Sequence, residues 1–518
     1  MSIRRLTIIV GSFFSVLALF ANLFFLNGCG DNQAKDAETI EGEMLVKKYC
    51  TSCHVSAGPE LLDRETWETN VLPAMGKKLG ISTWSGQYFQ ENLHAGVSID
   101  DWQRIVSYFL KNSPEKLDAS ASTHPLKSSA DFLIVKPTLF DTAQIASTTM
   151  VKYNLLNKMI YTSDVLSKNL YVWDKNLNLR TKASFQSPVV DIFFDRKSGL
   201  GQPEEVITVI GSINPDDSPR GKLLKVSSGK YQNVSTVGQL FPRPVNSLTA
   251  DFNEDGLPDI VVCGFGNTIG GLYLLKQVEE GKYQKSEISP RAGALKAEVG
   301  DYNKDGWTDL MCLFAQGDEG IWMYLNDQKG GFRGQNLLRF PPVYGSSSFQ
   351  VVDFNKDGFE DILYTSGDNS DYSRILKPYH GIYIFTNNGR NKFEPTYFHP
   401  VNGCTKAVAT DLNQDGRLDL VSIAFFSDTK NNPGESFMYL LQDENARFRT
   451  YSLPVDNLGK WLCMDVQDMN EDGYPDIILG NFSIGGFNQP GVTSTWDRKL
   501  PFIVLKNQLN KDFSKGLN

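Results

Sequence analysis

"DFNEDGLPDI", residues 251–260, sets Asp, Asn, Asp, Gly and Asp at its positions 1, 3, 5, 6 and 9. The pattern returns four times: "DYNKDGWTDL" from Asp301, "DFNKDGFEDI" from Asp353, "DLNQDGRLDL" from Asp411 and "DMNEDGYPDI" from Asp468. Successive copies start 50, 52, 58 and 57 residues apart, a period that points to propeller blades or a solenoid. Strand-like runs flank the copies: "SLTA" and "IVVCGF" around the first, "FQVV" and "ILYTS" around the third, "CMDVQ" and "IILGN" around the last. Apolar strands interrupted by acidic glycine turns at this spacing predict four-stranded blades.

The turn carries its own chemistry. Oxygen donors at positions 1, 3, 5 and 9 lie along a tight loop, and glycine at position 6 permits the positive φ of the wrap. The carbonyl at position 7 can complete an oxygen shell of the kind that suits Ca²⁺. The candidate ligand sets are Asp251, Asn253, Asp255, Leu257 and Asp259; Asp301, Asn303, Asp305, Trp307 and Asp309; Asp353, Asn355, Asp357, Phe359 and Asp361; Asp411, Asn413, Asp415, Arg417 and Asp419; and Asp468, Asn470, Asp472, Tyr474 and Asp476. Without metal, three carboxylates per loop repel one another. The chain's formal charge of −9 becomes −11 once residues 1–28, with Arg4 and Arg5, are set aside. Up to five calcium ions offset most of that charge.

These loops, together with "GFGNTIGG" at 264–271, resemble the FG-GAP/VCBS repeats of integrin-type β-propellers. The resemblance implies a metal that stiffens the turn between a blade's first two strands and does no chemistry. Residues 131–518 then accommodate roughly seven blades at the observed period. Two blades must precede Asp251: "VVDIFFDRKSGLGQPEEVITVI" (189–210), whose loop has lost its ligands, and the more degenerate "MIYTSDVLSKNLYVWDKNLNL" (159–179). "FLIVKP" near residue 132 is placed to pair with the last blade and close the ring. Cys263, Cys312, Cys404 and Cys463 lie in or beside strands and read as buried thiols, with a disulfide as the alternative.

A different motif stands ahead of the repeats. "YCTSCH", residues 49–54, admits zinc binding, disulfide exchange or covalent haem attachment. Zinc wants about four ligands, and no second CxxC follows. A redox CxxC wants a preceding strand, but "EGEMLVKKY" enters with helical spacing. Haem needs two thiols one turn apart and the next side chain on iron, which Cys50, Cys53 and His54 supply. Asp63 reads as the N-cap of a following helix, and Ser98 caps a last helix with Trp102, Ile105, Val106 and Phe109 on one face, stopped by Pro114. First and last helices flanking a CxxCH resemble the class I cytochrome c fold over residues 41–115. Met75, in "VLPAMGKKLG", is the candidate sixth ligand of a single haem c, with His94 as its rival. A thioether ligand raises the potential relative to two imidazoles.

Residues 1–28 combine Arg4 and Arg5 with an uncharged apolar run from Leu6 to Leu26, the composition of an export segment. An uncleaved membrane anchor is the alternative. Leu26-Asn27-Gly28-Cys29 resembles the lipobox of bacterial lipoproteins, which implies lipidation at Cys29, although Asn27 departs from the residue usual there. The expected organisation is a lipoprotein-type signal peptide (1–28), a tether (29–40), an all-α cytochrome c domain (41–115), a flexible linker (116–130) and an all-β, calcium-binding propeller (131–518). Everything after Cys29 is then expected in the bacterial cell envelope, lipid-anchored, facing the periplasm or the cell surface.

Long connections in the last three blades, at 365–381, 424–436 and 480–501, gather on the end opposite the acidic loops. Asp371, Arg374, Lys377, Tyr379, His380 and Trp496 form a candidate binding face for a small molecule or glycan, with surface decoration as the plainer account. Three functional classes follow: a single-electron carrier with the propeller docking an unknown redox partner, a haem-coupled oxidoreductase, and an adhesion or glycan-binding lipoprotein. The acidic balance and the compartment disfavour nucleic acid. The electron carrier is the expected function, because iron held on both sides has no open position for substrate chemistry.

Overall fold

The computed structural model describes residues 36–84, 86–90, 96–118, 126–138, 144–195, 204–227, 231–370, 373–485, 492–493 and 495–509. The apolar leader, Cys29, His94 and Asp371 lie outside the described residues.

Seven antiparallel sheets of four consecutive or ring-closing strands form the blades of a propeller. Their first strands are Thr148–Asn154, Val189–Asp195, Pro244–Ala250, Ala294–Gly300, Ser346–Val352, Cys404–Thr410 and Trp461–Gln467. Each first strand packs against the first strands of both neighbours, so the ring is complete. The last blade borrows its outer strand from the start of the domain: Phe132–Val135 pairs antiparallel with Phe502–Asn507, Asn507 opposite Phe132. Closure is sealed where Tyr153 N donates to Asp465 Oδ2 at 2.7 Å and Thr148 Oγ1 donates to the Pro501 carbonyl at 2.8 Å. The strand expected from "FLIVKP" therefore does what its position in the chain suggests.

Burial explains why the repeats read as they do. The second strands Asp259–Gly264, Asp309–Phe314, Asp361–Ser366, Asp419–Ala424 and Asp476–Asn481 are buried at every residue, because neighbouring blades cover both faces. A strand covered on both faces shows an unbroken apolar run rather than alternation. Outer strands such as Lys282–Ser289 are mostly exposed and polar. All seven first strands carry a β-bulge near their start, including the two blades that lack the acidic loop. A bulge bends and twists the strand locally, and here it recurs at the same place in every blade.

On the inner ring, side chains of one blade accept backbone N–H groups of the next. Asp191 takes Ser247 N (2.8 Å), Asn246 takes Ala297 N (3.1 Å), Glu298 takes Val351 N (2.8 Å) and Gln350 takes Ala409 N (2.8 Å). These first strands bond to their own blade on one edge only, so their other edge would leave buried N–H groups unpaired.

The N-terminal unit is small and mostly helical. Helix α1 (Ala37–Tyr49) is capped by Asp36, α2 (Leu72–Lys78) continues a helical run that begins at Arg64, and α3 (Ile99–Asn112) is capped by Ser98. Asp63 accepts Thr66 N at 2.7 Å and Ser98 Oγ accepts Asp101 N at 3.1 Å, as the sequence pattern predicts. Trp102, Ile105, Val106 and Phe109 are buried in one cluster with Trp67 and Leu72. Helices α1 and α3 pack closely at Gly42, where an added Cβ would lie 2.3 Å from Tyr108 Cβ. A hairpin of Ile81–Trp84 with Gln87–Gln90 was not expected.

The linker differs from expectation at its far end. Lys127–Ser128 adds as a parallel fifth strand to the sixth blade, beside Tyr451 and Ser452, and Tyr439 Oη donates to Ser129 Oγ at 2.6 Å. Short polar side chains are compatible with an edge strand, so composition alone gave no sign of this pairing.

Candidate functional site

Five acidic turns join first to second strands, one in each of blades three to seven. In each, the position-1 carboxylate accepts the glycine N–H at position 6: Gly256, Gly306, Gly358, Gly416 and Gly473, all at 2.8–2.9 Å. The position-3 amide oxygen accepts the position-5 N–H, as in Asp305 N to Asn303 Oδ1 at 3.0 Å. The position-5 carboxylate accepts the position-7 N–H, as in Trp307 N to Asp305 Oδ1 at 2.9 Å. Glycine φ values of 82° to 91° place these residues in the left-handed region. Open space surrounds Gly256, Gly306 and Gly358, so backbone conformation rather than room demands glycine there.

Position 9 behaves differently from the other donors. Asp259, Asp309, Asp361, Asp419 and Asp476 are 0–1 % exposed. One oxygen of each accepts a third-strand N–H at 2.8 Å, from Gln277, Asn326, Asn387, Gln442 and Asn507 respectively. In four of them the other oxygen accepts the position-2 N–H, at 3.0–3.4 Å. These carboxylates tie the turn to the sheet. Accordingly, among the described residues no three His, Cys, Asp or Glu side chains converge as a ready cage.

Two observations fit a cation in these turns. Asp251 Oδ1 and Asp476 Oδ2 are buried with no hydrogen-bond partner. Burial, with the nearby Asp415 and Asp411 or Asp472 and Asp468, pushes Asp419 and Asp476 up to about 6. Each carboxylate oxygen keeps a second lone pair, so one that accepts an N–H can also face an ion.

In the helical unit, Cys50 follows α1 and Cys53 and His54 stand in the next turn. Both sulfurs are free; Cys50 is half-buried, which pushes its thiol up to about 11, and Cys53 is exposed. His54 Nδ1 lies 2.8 Å from the Val55 carbonyl. A carbonyl only accepts, so this nitrogen is the donor, and in the neutral ring Nε2 is the one with the lone pair. Met75 is half-buried on α2 against the domain's core. The Trp102 ring lies beside the next residue, Gly76, where a Cβ would sit 2.9 Å away, and Trp102 Nε1 is buried without an acceptor. A free imidazole nitrogen and an orphaned buried donor fit a prosthetic group with acceptor oxygens.

The long connections at 367–380, 425–436 and 482–501 emerge opposite the acidic turns. The residues expected to form an open face there are mostly buried. Tyr379 is 8 % exposed, donates its hydroxyl to the Leu61 carbonyl of the helical unit at 2.8 Å, and stacks on Tyr344 with ring centroids 4.7 Å apart. Lys377 is buried and donates to Asn369 Oδ1. His380 is 1 % exposed, and burial with the Lys377 charge holds its pKa well below the usual range. Trp496 is buried and donates Nε1 to Ser483 Oγ at 2.8 Å. Arg374 alone of the described five is exposed. The reason is that Val343 and Ile375 pack against the helical unit's core, so part of this end is already covered. Charged and aromatic residue types suggested solvent, and loop length did not reveal what the loops fold against.

A closed ring of seven four-stranded blades, five of them opened by one acidic turn, is a seven-bladed β-propeller. The FG-GAP-like repeat family matches residues 251–312 and 301–364. Among solved structures, BBS1N in complex with ARL6DN is similar at 9 % identity with TM-score 0.45, covering 74 % of this chain and 98 % of that one. The N-terminal domain of Nup159 is similar at 11 % identity with TM-score 0.42, over 74 % and 97 %. A protein from Lactobacillus plantarum is similar at 12 % identity with TM-score 0.39, over 61 % and 87 %. No curated protein sequence matches the chain. Among the described residues no helix is long and apolar enough to cross a membrane.

Proposed function

We propose that this chain is a membrane-tethered c-type cytochrome of the bacterial cell envelope that passes single electrons to a partner protein, with the propeller as a rigid platform. The observation that carries the reading is the Cys50-Cys53-His54 constellation at the end of α1, with His54 Nδ1 donating to Val55 and Nε2 left to face a metal. Haem c, when bound, supplies an iron that changes oxidation state by one electron. Cys50 and Cys53 would hold it through thioether bonds, and His54 Nε2 and the Met75 sulfur would be the side chains that ligate its iron. The carbonyl bond at Nδ1 orients the imidazole and raises its basicity. Packing of α1 on α3 at Gly42 supports the class I resemblance.

In the five turns, the position-1, position-5 and position-9 carboxylates, the position-3 amide and the position-7 carbonyl would hold Ca²⁺, with position 9 also bracing the turn from within the blade. The metal's role there is structural. Anchoring through lipidated Cys29 completes the proposal.

A redox titration followed by absorption tests it. One haem exchanging one electron gives a single-electron Nernstian curve, and Met75→His lowers the midpoint potential. A curve unchanged by that substitution removes Met75 from the iron, and the absence of any haem transition removes the function. A second reading, a haem-coupled oxidoreductase, is favoured by one observation: a cleft of about 580 Å³ where propeller and helical unit meet.

A further inference from the structure

Besides its glycine, each acidic turn holds a second left-handed residue at position 4, with φ of 55° to 62°. That residue belongs to none of the ligand sets. In four consecutive blades its side chain leaves its own turn and meets the turn of the next blade. Lys304 of the fourth blade donates Nζ to the Gly358 carbonyl of the fifth at 3.1 Å and lies 4.3 Å from the centre of the Phe359 ring. Lys356 of the fifth donates to the Gly416 carbonyl of the sixth. The Gln414 amide of the sixth fills the space where a Cβ on Gly473 of the seventh would go. Glu471 of the seventh pairs at 2.7 Å with Lys158, the left-handed residue in the first blade's turn.

These contacts recur at a defined place. In the fifth, sixth and seventh blades they fall on position 6, the glycine whose N–H holds the position-1 carboxylate. In the fifth they also fall on Phe359, whose carbonyl is that turn's position-7 donor. Lysine and glutamine both carry an N–H donor on a flexible stem, so reach and a donor recur where charge does not. Each position-4 residue stands between two candidate ligands of its own turn, as Lys304 does between Asn303 and Asp305. A cation in that turn therefore fixes the base of the side chain that reaches onward.

We propose that the position-4 side chains are positioning residues for the metal turn of the following blade, which makes the turns of blades four to seven a coupled array rather than independent sites. The proposal rests on the calcium reading of the turns and is separate from the electron-transfer reading. Filling one turn tightens the next, and the coupling is reciprocal. Lys304 and Lys356 are exposed, and exposed contacts are individually weak, so the effect of removing one is severalfold.

Lys304→Ala and Lys304→Gln in the full chain test this, with thermal melting to confirm that both stay folded. Glutamine keeps a donor without the charge. In EGTA, amide exchange at Gly358 and Phe359, whose N–H groups bond Asp353 and Asp357 at 2.9 Å, should quicken in the alanine variant and recover in the glutamine variant. For the metal, Trp307→Phe with Phe359→Trp moves the Tb³⁺ reporter to the fifth blade, at an ionic strength of about 0.15 M, where charges beyond about 8 Å are screened. Lys304→Ala should weaken Tb³⁺ there about threefold or more, Lys304→Gln should stay near the parent, and affinity read by native Trp307 in the fourth blade should move less than either. Unchanged exchange, Tb³⁺ affinity in the fifth blade indifferent to residue 304, or affinity that rises in both variants because the ammonium acts only as a repelling charge would each overturn the proposal. A reporter that shows no Tb³⁺ emission at all refutes the calcium reading and this proposal with it, whereas emission that ignores residue 304 refutes this proposal alone.

Discussion

Replacing Asp361 by alanine isolates what the position-9 carboxylate does. Its two oxygens accept Asn387 N at 2.8 Å and Phe354 N at 3.1 Å, and the residue is 0 % exposed. Each buried N–H left unpaired costs about 1–3 kcal/mol. The carboxyl's own burial, which raises its pKa, offsets part of that loss. A net loss of about 2–4 kcal/mol follows. With an unfolding entropy of about 2.1 cal/mol/K per residue, a propeller of this length gains roughly 0.8 kcal/mol/K, so the melting point falls by about 3–5 °C. Asp361→Asn keeps one acceptor oxygen and should lose about half as much. Differential scanning calorimetry in EGTA is the assay, because chelation removes any contribution from metal. If the alanine variant melts with the wild type in EGTA and differs only when calcium is added, the carboxylate is a metal ligand first and the hydrogen-bonding argument is wrong.

Further expectations concern the turns and the domain contact. Trp307, at position 7 of the fourth blade's turn, should sensitise Tb³⁺ emission, and Trp307→Phe should remove most of it. Emission unaffected by excess Ca²⁺ would remove metal from that turn. Asp419 and Asp476, raised by burial to about 6 from 3.8, penalise the metal-free protein when ionised. That penalty is absent below about pH 4 and complete above about pH 6, so metal-free stability declines across this window while calcium-loaded stability does not. Melting curves with EGTA and with calcium should diverge as pH rises; a constant gap contradicts the sign. Tyr379→Phe deletes the hydrogen bond to Leu61, worth about 0.5–1.5 kcal/mol, and should speed amide exchange at residues 60–62 without moving the propeller's melting point. Unchanged exchange would mean that the helical unit does not dock this way in solution.

The acidic turns were legible because their chemistry is narrow: oxygen donors at fixed spacing with a glycine that only a left-handed backbone requires. They also located the strand junctions of five blades and, through the period, the count of seven. Blades one and two were legible only from strand pattern. Glu204 opens the second strand of the second blade where the five acidic-turn blades have Asp, and the first blade turns through Asn154–Met159 with Lys158 at φ 58°. The second left-handed residue of each acidic turn gave no signal, since Glu254, Lys304, Lys356, Gln414 and Glu471 share no side-chain type that marks φ of 55° to 62°. The inner-ring bonds from Asp191, Asn246, Glu298 and Gln350 were equally hidden, because they depend on which backbone the next blade presents. Burial of Lys377, His380 and Trp496 was misread for the same reason: polar residue types in long loops suggest solvent until the element covering them is known.

Cleavage at Lys48 and Arg64 releases the segment from Tyr49 to Arg64, which holds both thiols and the imidazole. Mass spectrometry of that peptide, taken from protein matured in a host that exports it and attaches haem, weighs the proposal at its root. A single iron porphyrin bonded to both sulfurs, with the matching visible absorption on the intact chain, is the result expected. A peptide of unmodified mass from colourless protein would contradict it and leave a seven-bladed ring carrying a small helical domain of some other purpose.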